Sequence, residues 1–441
     1  MLIKKCFLDI ISAQKDRYAV MLLEFKCKNF RSIKDEIVFS LLASSDNTNA
    51  DFSIVDKGDF KVLKKAIIYG ANGSGKTNFV KALYFLKALV VNSQNHMPNS
   101  SILAQPHKKA IEEDTSFIIQ FIDRKENRYT YTVSFNANRV SSEALYNYPN
   151  GRITKIFSRD GTEISSNSYK SQFSFVAGQT LKENRLFLSC AAKDSNVDVI
   201  TDVYTFFDKD LVFYPNLNPD NPNANWRIYS AQTAERNPLL KDLFVQFNQQ
   251  LGVSALKDIK STVVVKKMEA GMIPPFINEE FKKTMLEQTL TETIVNYVYS
   301  DFPIRLEDES LGNQKLFEMF FPIIDVLRNG RVFICDEFER SLHPLVVQKL
   351  IEIAAHNNSG AQFILTTHDV GLLNPSIFRR DEIWFTDMKE DSRSTDMYSL
   401  AELKSIRKGE IYSRNYIMGK YSSIPVISSN IEDLFIGDKN D

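Results

Sequence analysis

The chain has 441 residues, more than one core usually organises, so two or more lobes are expected. Its 54 basic and 55 acidic residues leave a net charge of −1, which argues against a protein whose main work is bulk, charge-driven nucleic-acid binding but leaves room for a local basic groove. Four cysteines without paired spacing (Cys6, Cys27, Cys190 and Cys335) argue against a disulfide framework or a zinc site. No apolar stretch approaches the roughly 20 residues that cross a bilayer, so a reduced, cytoplasmic protein without a membrane anchor is expected.

In chain order, residues 1–20 come first. Lys4 and Lys5 precede Phe7-Leu8-Asp9-Ile10-Ile11, but Asp9 interrupts a run too short for a secretory segment. The stretch reads as a dispensable leader, with Met21 as a natural start. Leu23, Phe25 and Cys27 alternate as in a first strand, and Ile37-Val38-Phe39-Ser40-Leu41 is expected to pair with it. A polar loop follows at Ser44 to Asn49.

The apolar run Ala66-Ile67-Ile68-Tyr69 reads as a buried parallel strand and leads into Gly70-Ala71-Asn72-Gly73-Ser74-Gly75-Lys76-Thr77. From Asn78 to Val90, apolar residues recur at helical spacing as Phe79, Leu83, Leu86 and Val90. Strand, glycine-rich turn and helix are the order a phosphate-binding loop requires. Glycines let the backbone curl so that successive N–H groups face an anion, and the positive end of the helix adds attraction. Lys76 supplies a cation for the outer phosphates of a nucleotide, and the Thr77 hydroxyl can ligate magnesium. The full G-x-x-x-x-G-K-[ST] pattern in that context is specific.

A polar connector spans Asn92 to Asp114. From about 115 to 177 the pattern turns aromatic and β-branched, in Phe117–Phe121, Tyr129–Phe135 and Ile153–Phe157, with turns at Asn136, Asn138, Pro149-Asn150-Gly151 and Asp160-Gly161. An antiparallel β-subdomain is expected there, its aromatics packing a sheet. Residues 178–300 read as a helical insertion, with helical spacing over Asp198–Phe207 and Leu239–Leu251 and a Pro/Asn-rich loop from Asn216 to Asn225. No sustained heptads support a long coiled-coil arm.

Residues 301–425 carry the second set of motifs, ahead of an acidic tail at 426–441. Glu309-Ser310-Leu311-Gly312-Asn313-Gln314-Lys315 leads into a helix with apolar Leu316, Phe320, Ile324 and Leu327, and Ser310, Gly312 and the helix N-terminus form a small anion site; Pro322 is expected to kink that helix. Arg331-Val332-Phe333-Ile334-Cys335 is a strand ending in Asp336 and Glu337, which places two carboxylates at the carboxyl edge of a sheet. Asp336 can hold the magnesium shell, and Glu337 can polarise an attacking water. Ser341-Leu342-His343-Pro344 opens another helix, and the strand Gln362–Thr367 ends at His368, suited to donate to a γ-phosphate. The acids of Asp381-Glu382 and Glu390-Asp391 read as solvated loops.

This ordered set resembles the ATP-binding-cassette ATPases of the SMC, RecF and OLD group. It is most similar to predicted ATP/GTP-binding proteins of the AbiL and RloA kind, a group that includes the ATPase subunit of the PARIS anti-phage defence. The resemblance spans Met21 to about Pro425, with dense motifs at both ends and little support in between. It implies an α/β fold: an ABC-ATPase head with a mixed sheet and P-loop, split between 21–114 and 301–425. An antiparallel β-subdomain and a short helical insertion would separate the two halves.

The resemblance further implies that ATP and magnesium are held by Gly70 to Thr77 with Asn78, that Asp336 and Thr77 are metal ligands, and that Lys76, Glu337 and His368 are catalytic. Ser310 to Gln314 would act as a signature across a dimer, and Ser341, Leu342 and His343 as the loop linking the two sites. Arg31, in Asn29-Phe30-Arg31-Ser32, matches an arginine placed near the nucleotide, with an exposed surface arginine as the competing reading. Tyr416 to Tyr421 resembles the family's tail, with Lys420 and Ser422 replacing an arginine and a glycine. Leu311 and Asn313 stand where transporters use glycines. No glutamine loop is evident; Gln179 and Lys193 are candidates.

The function implied is slow ATP hydrolysis coupled to homodimerisation or higher homo-oligomerisation through the heads. Relatives of this kind neighbour a toxin or nuclease effector, often TOPRIM-like, and respond to a phage-encoded trigger in abortive infection. A RecF-like DNA-repair ATPase and a nucleotide-dependent scaffold remain the alternatives, so nucleic acid stays open as a partner. A GTPase would carry Asn-Lys-x-Asp, which the sequence lacks.

Overall fold

The computed structural model describes residues 19–215, 226–267, 278, 282, 289–403 and 410–425. The Pro/Asn-rich loop at 216–225, the acidic tail and the leader up to residue 18 lie outside them. The chain divides into two compact units. One holds the described residues of Ser12–Leu217, Val326–Arg340 and Val347–Asp441, and the other those of Asn218–Asp325 and Ser341–Val346.

Strands are numbered in chain order: β1 (Met21–Lys28), β2 (Ile37–Ser40), β3 (Ile54–Asp56), β4 (Lys61–Leu63), β5 (Lys65–Tyr69), β6 (Thr115–Ile122), β7 (Arg128–Phe135), β8 (Val140–Asn147), β9 (Thr154–Asp160), β10 (Glu163–Ser165) and β11 (Leu211–Tyr214). Then follow β12 (Asp258–Lys267), β13 (Thr289–Val298), β14 (Pro303–Arg305), β15 (Val332–Cys335), β16 (Gln362–Thr366), β17 (Ile383–Lys389) and β18 (Ser394–Ser399).

The first unit holds a mixed six-stranded sheet in the order β11-β15-β16-β5-β17-β18. Five strands run parallel and only β18 runs antiparallel. The residues of β5, β15 and β16 are all buried, as the short apolar runs predict for strands covered on both faces. Buried polar groups in these strands are matched. Gln362 exchanges hydrogen bonds with the Leu22 main chain at 2.7 and 3.1 Å, and Lys65 pairs with Glu382 at 2.9 Å.

A second, antiparallel sheet of the same unit runs β10-β9-β8-β7-β6-β1-β2. The expected β-subdomain is therefore continuous with the first two strands of the chain. Its aromatics do pack the sheet. Phe25 stacks on Phe117, and the helix Lys76–Asn92 sends Phe79 against Phe25 and Phe39 and Phe85 against Phe135. Strand β8, which the sequence pattern did not single out, carries the buried Glu143. That carboxylate accepts from the N–H groups of Phe187 and Leu188 and from Tyr131 Oη.

The other unit contains helices Trp226–Arg236 and Pro238–Gln250, the antiparallel sheet β12-β13-β14, and the start of the helix Leu311–Asn329, which runs through Pro322 without a break. Asn237 caps the second helix by accepting from Leu240 N–H, with Pro238 at the first helical position. Phe244 is its centre, touching Tyr297, Phe317, Phe320 and Phe321.

Four expectations are corrected. The span 178–300 is not a single helical insertion, since β11 joins the main sheet beside β15 and the Thr- and Val-rich segments of β12 and β13 pair as strands. The end of the leader is part of the fold. Ala19 and Val20 are buried, Val20 N–H donates to Gly330 O at 3.0 Å, and Ala19 sits where a Cβ on Gly330 or Gly360 would stand. The β-subdomain is not separate from 21–114, for the reason given above. Asp381 and Glu382 are buried, the first paired with Arg379 at 2.7 Å and accepting from Ser44, the second paired with Lys65; burial here is sustained by ion pairing. Among the described residues, no helix is long and apolar enough to cross a membrane.

Candidate functional site

The loop after β5 adopts the curl that its glycines permit. Gly73 (φ 79°) and Gly75 (φ 116°) lie in the left-handed region, and Gly75 caps the helix Lys76–Asn92. Lys76 is buried, and its Nζ donates to Gly70 O at 2.7 Å and Ala71 O at 3.1 Å, so the ammonium lies folded over the loop's own carbonyls.

Strand β15 delivers the two acids. Asp336 Oδ2 accepts from Thr77 Oγ1 at 2.8 Å, and Asp336 Oδ1 accepts from Thr366 Oγ1 at 2.5 Å. The same Thr366 oxygen accepts from Glu337 N–H at 2.8 Å. One hydroxyl on β16 thus fixes both acids that follow β15. Glu337 sits in the left-handed region (φ 49°), a conformation that costs a non-glycine residue about 1–3 kcal/mol and is held here by its surroundings. Its Oε2 lies 3.5 Å from Arg340 Nη1.

Strand β16 ends at His368, whose N–H donates to Glu339 Oε1 at 2.6 Å and whose side chain is exposed. The other oxygen of Glu339 is buried without a hydrogen-bond partner. Thr77, Asp336, Glu337 and Lys76 therefore meet in one unit, with His368 at the end of the strand between β15 and β5.

Electrostatics tie the group together. Burial draws the Lys76 ammonium down to about 8, opposed by the carboxylates of Asp336, Glu339 and Glu337. Partial desolvation, together with the Lys76 charge, also holds the His368 imidazole below its ordinary value.

Residues 65–374 match the family described as "AAA domain, putative AbiEii toxin, Type IV TA system". The chain belongs to this family. Among solved structures, it is similar to the SMC head domain from Thermotoga maritima at 12% identity, covering 86% of this chain and 98% of that one with a TM-score of 0.39. A structure of the Smc head bound to the C-winged helix domain of ScpA is 15% identical, with 86% and 97% coverage and a TM-score of 0.39. The Smc head domain with an extended coiled coil bound to the C-terminal domain of ScpA, from Pyrococcus furiosus, is 12% identical, with 86% and 96% coverage and a TM-score of 0.40. No curated protein matches the chain.

In this AAA-domain protein the residues expected to act across a dimer, Ser310 to Gln314 and Ser341 to His343, lie in the other unit. Ser310 is exposed, and its Oγ accepts from Asn313 N–H at 3.2 Å, a cap on the helix Leu311–Asn329. Asn313 donates to Glu309 Oε2 at 2.8 Å, and Gln314 donates to Glu309 O at 2.8 Å while accepting from Arg227 Nη2 at 3.1 Å. Gly312 is required by close approach, since a Cβ there would stand 2.8 Å from Ser341 O. Ser341 is left-handed (φ 63°), Leu342 is half-buried, and exposed His343 accepts from Leu345 N–H through Nδ1 at 3.3 Å, which puts the ring proton of the neutral form on Nε2.

Arg31 lies in the same unit as the glycine-rich loop. Its N–H donates to Gln105 O at 2.6 Å, its guanidinium lies 5.9 Å from the Phe30 ring centre, and its Nε is buried without a hydrogen-bond partner. It is Ser32, beside it, that bonds Asn78 at 2.7 Å. The sequence reading missed the roles of Thr366 and Glu339. The third acid of Asp336-Glu337-Phe338-Glu339 was a visible signal; the threonine carried none.

Proposed function

We propose that this protein binds ATP with magnesium, hydrolyses it slowly, and uses nucleotide-dependent association of its heads as a switch. The observation that carries the reading is the 2.8 Å hydrogen bond from Thr77 to Asp336, which joins the phosphate loop to the acidic strand end. A hydroxyl and a carboxylate oxygen at that spacing are the hard donors that suit magnesium shared with nucleotide phosphates. When bound, that ion supplies positive charge to the transferred phosphoryl group.

Lys76 exchanges the carbonyls of Gly70 and Ala71 for the outer phosphates of the substrate. The loop N–H groups from Gly73 to Thr77 and the Asn78 region surround the rest. Glu337, held by Thr366, orients the attacking water, and His368 donates toward the γ-phosphate. A second copy of the chain supplies Ser310, Gly312, Asn313 and Gln314 to the open side of the nucleotide, with Ser341, Leu342 and His343 linking the paired sites. Each site is then complete only in the associated form, so ATP shifts the association equilibrium.

The family description carries toxin and toxin–antitoxin terms, which support a role in a system of that kind. On the resemblance of the motifs, that role is cytoplasmic anti-phage defence, in which the switch controls a partner toxin or nuclease, TOPRIM-like, and is released by a phage product. The test is ATP turnover by wild type and Glu337→Gln, each with magnesium, alongside phage challenge of cells carrying either form with the neighbouring genes. The variant is expected to retain ATP without turnover and to lose protection. Equal turnover in both proteins would remove Glu337 from its role, and protection independent of an intact ATP site would remove the switch.

A further inference from the structure

Behind the phosphate loop lies a group of hydroxyls that the chemistry above does not use. Thr386 on β17 and Thr395 on β18 press against the loop so closely that a Cβ on Gly70 would overlap Thr386 and one on Gly75 would overlap Thr395. These two glycines are therefore required by contact, apart from any need for unusual dihedrals. Ser74, Thr386 and Thr395 are all buried, and Ser32 is half-buried at the edge.

Each hydroxyl has one proton, and that constraint orders the bonds. Thr395 Oγ1 donates to Ser74 O at 2.9 Å. In its 2.7 Å contact with Ser32 Oγ, Ser32 must then be the donor, and Ser32 in turn accepts from Asn78 Nδ2 at 2.7 Å. Thr386 Oγ1 donates to Tyr69 O at 3.2 Å, so the 2.7 Å contact between Ser74 Oγ and Thr386 has Ser74 as donor. Thr395 N–H adds a bond to Ser32 O at 2.7 Å. Ser74 is thus gripped twice, by its carbonyl and by its hydroxyl.

In a trans peptide the carbonyl and the next N–H point in opposite directions. Drawing Ser74 O to the back of the loop turns Gly75 N–H toward the front, where an anion would be met. We infer that Thr395, Thr386 and Ser32 are positioning residues that set the phosphate loop in its anion-accepting shape before nucleotide arrives, saving the ordering cost on binding. The inference rests on the reading of the loop as an ATP site.

The test measures Mg-ATP affinity by calorimetry and turnover at saturating ATP, in the full chain, for wild type, Thr395→Val, Ser32→Ala and Thr395→Ser. Thr395→Val and Ser32→Ala are expected to bind about tenfold more weakly, the worth of one hydrogen bond, with maximal turnover within about twofold of wild type. Thr395→Ser, which keeps the hydroxyl, is expected to restore affinity. If Thr395→Val does not fold, Ser32→Ala at the edge of the chain of bonds carries the test. Unaltered affinity in the folded variants, or a loss confined to maximal turnover, overturns the brace while leaving the ATP site in place. Absence of Mg-ATP binding by wild type overturns both.

Discussion

The two units treat their expected site residues in opposite ways. In the phosphate-loop unit the side chains bond to one another across long stretches of sequence, as Thr77 to Asp336 and Asp336 to Thr366. In the other unit Ser310, Asn313 and Gln314 bond mainly to their own helix start and to Glu309, while Ser310 and Leu311 stay exposed. The first pattern builds a site inward. The second leaves an exposed helix start whose polar groups are satisfied locally.

The largest effect that would break this contrast is loss of Lys76. Lys76→Ala removes the one loop ammonium and is expected to weaken Mg-ATP binding by about a hundredfold, as for a charge-assisted contact, read by calorimetry. Ser310→Arg, on the exposed side, is expected to leave that affinity within about twofold while abolishing ATP-dependent association in light scattering, because a surface residue can block a neighbour without touching the fold. Comparable loss of ATP affinity in both variants would erase the distinction between the units.

A finer comparison concerns Thr366. Thr366→Val removes the hydroxyl that holds both Asp336 and Glu337, and turnover is expected to fall about tenfold with affinity less affected, read as a split between maximal rate and KM. An unchanged maximal rate would mean that the strained Glu337 backbone is held by other contacts.

The smallest expected effect is a pH dependence. Lys87, on the phosphate-loop helix, donates to Asp208 O at 3.0 Å and Leu211 O at 2.6 Å, and burial lowers its pKa to about 8 against the pull of Asp208 and Asp210, with Arg331 lowering it further. The ordinary lysine value applies in the unfolded chain, so between about pH 8 and 10 that chain binds more protons, and this term makes stability rise with pH. Lys87→Met should lack that rise. Urea denaturation of both proteins at pH 7 and pH 9.5 reads the difference, and parallel changes would show that Lys87 is not strained in the fold.

The strand, glycine-rich loop and helix from Lys65 to Asn92 and the acids after β15 were legible because their signals are local: a glycine spacing, a short apolar run, a helical period. Asp336 could be placed beside Thr77 from sequence because strand ends in a parallel sheet share an edge. The bracing of Ser74 by Thr395 was not legible, since the partners stand 321 positions apart and a threonine in a strand has no distinctive spacing. Asp381 and Glu382 looked solvated because sequence does not show that Arg379 and Lys65 meet them inside. For β12 and β13 the β-branched residues were present, and the helical reading of the surrounding span overrode them.

The central claim is that nucleotide held by one molecule is closed by another. It is tested most directly by light scattering of Glu337→Gln with and without Mg-ATP, alongside the same variant carrying Ser310→Arg. The account predicts an ATP-dependent rise in mass for Glu337→Gln that the added Ser310→Arg abolishes while ATP stays bound; a mass indifferent to ATP in Glu337→Gln, with ATP demonstrably bound, would contradict it.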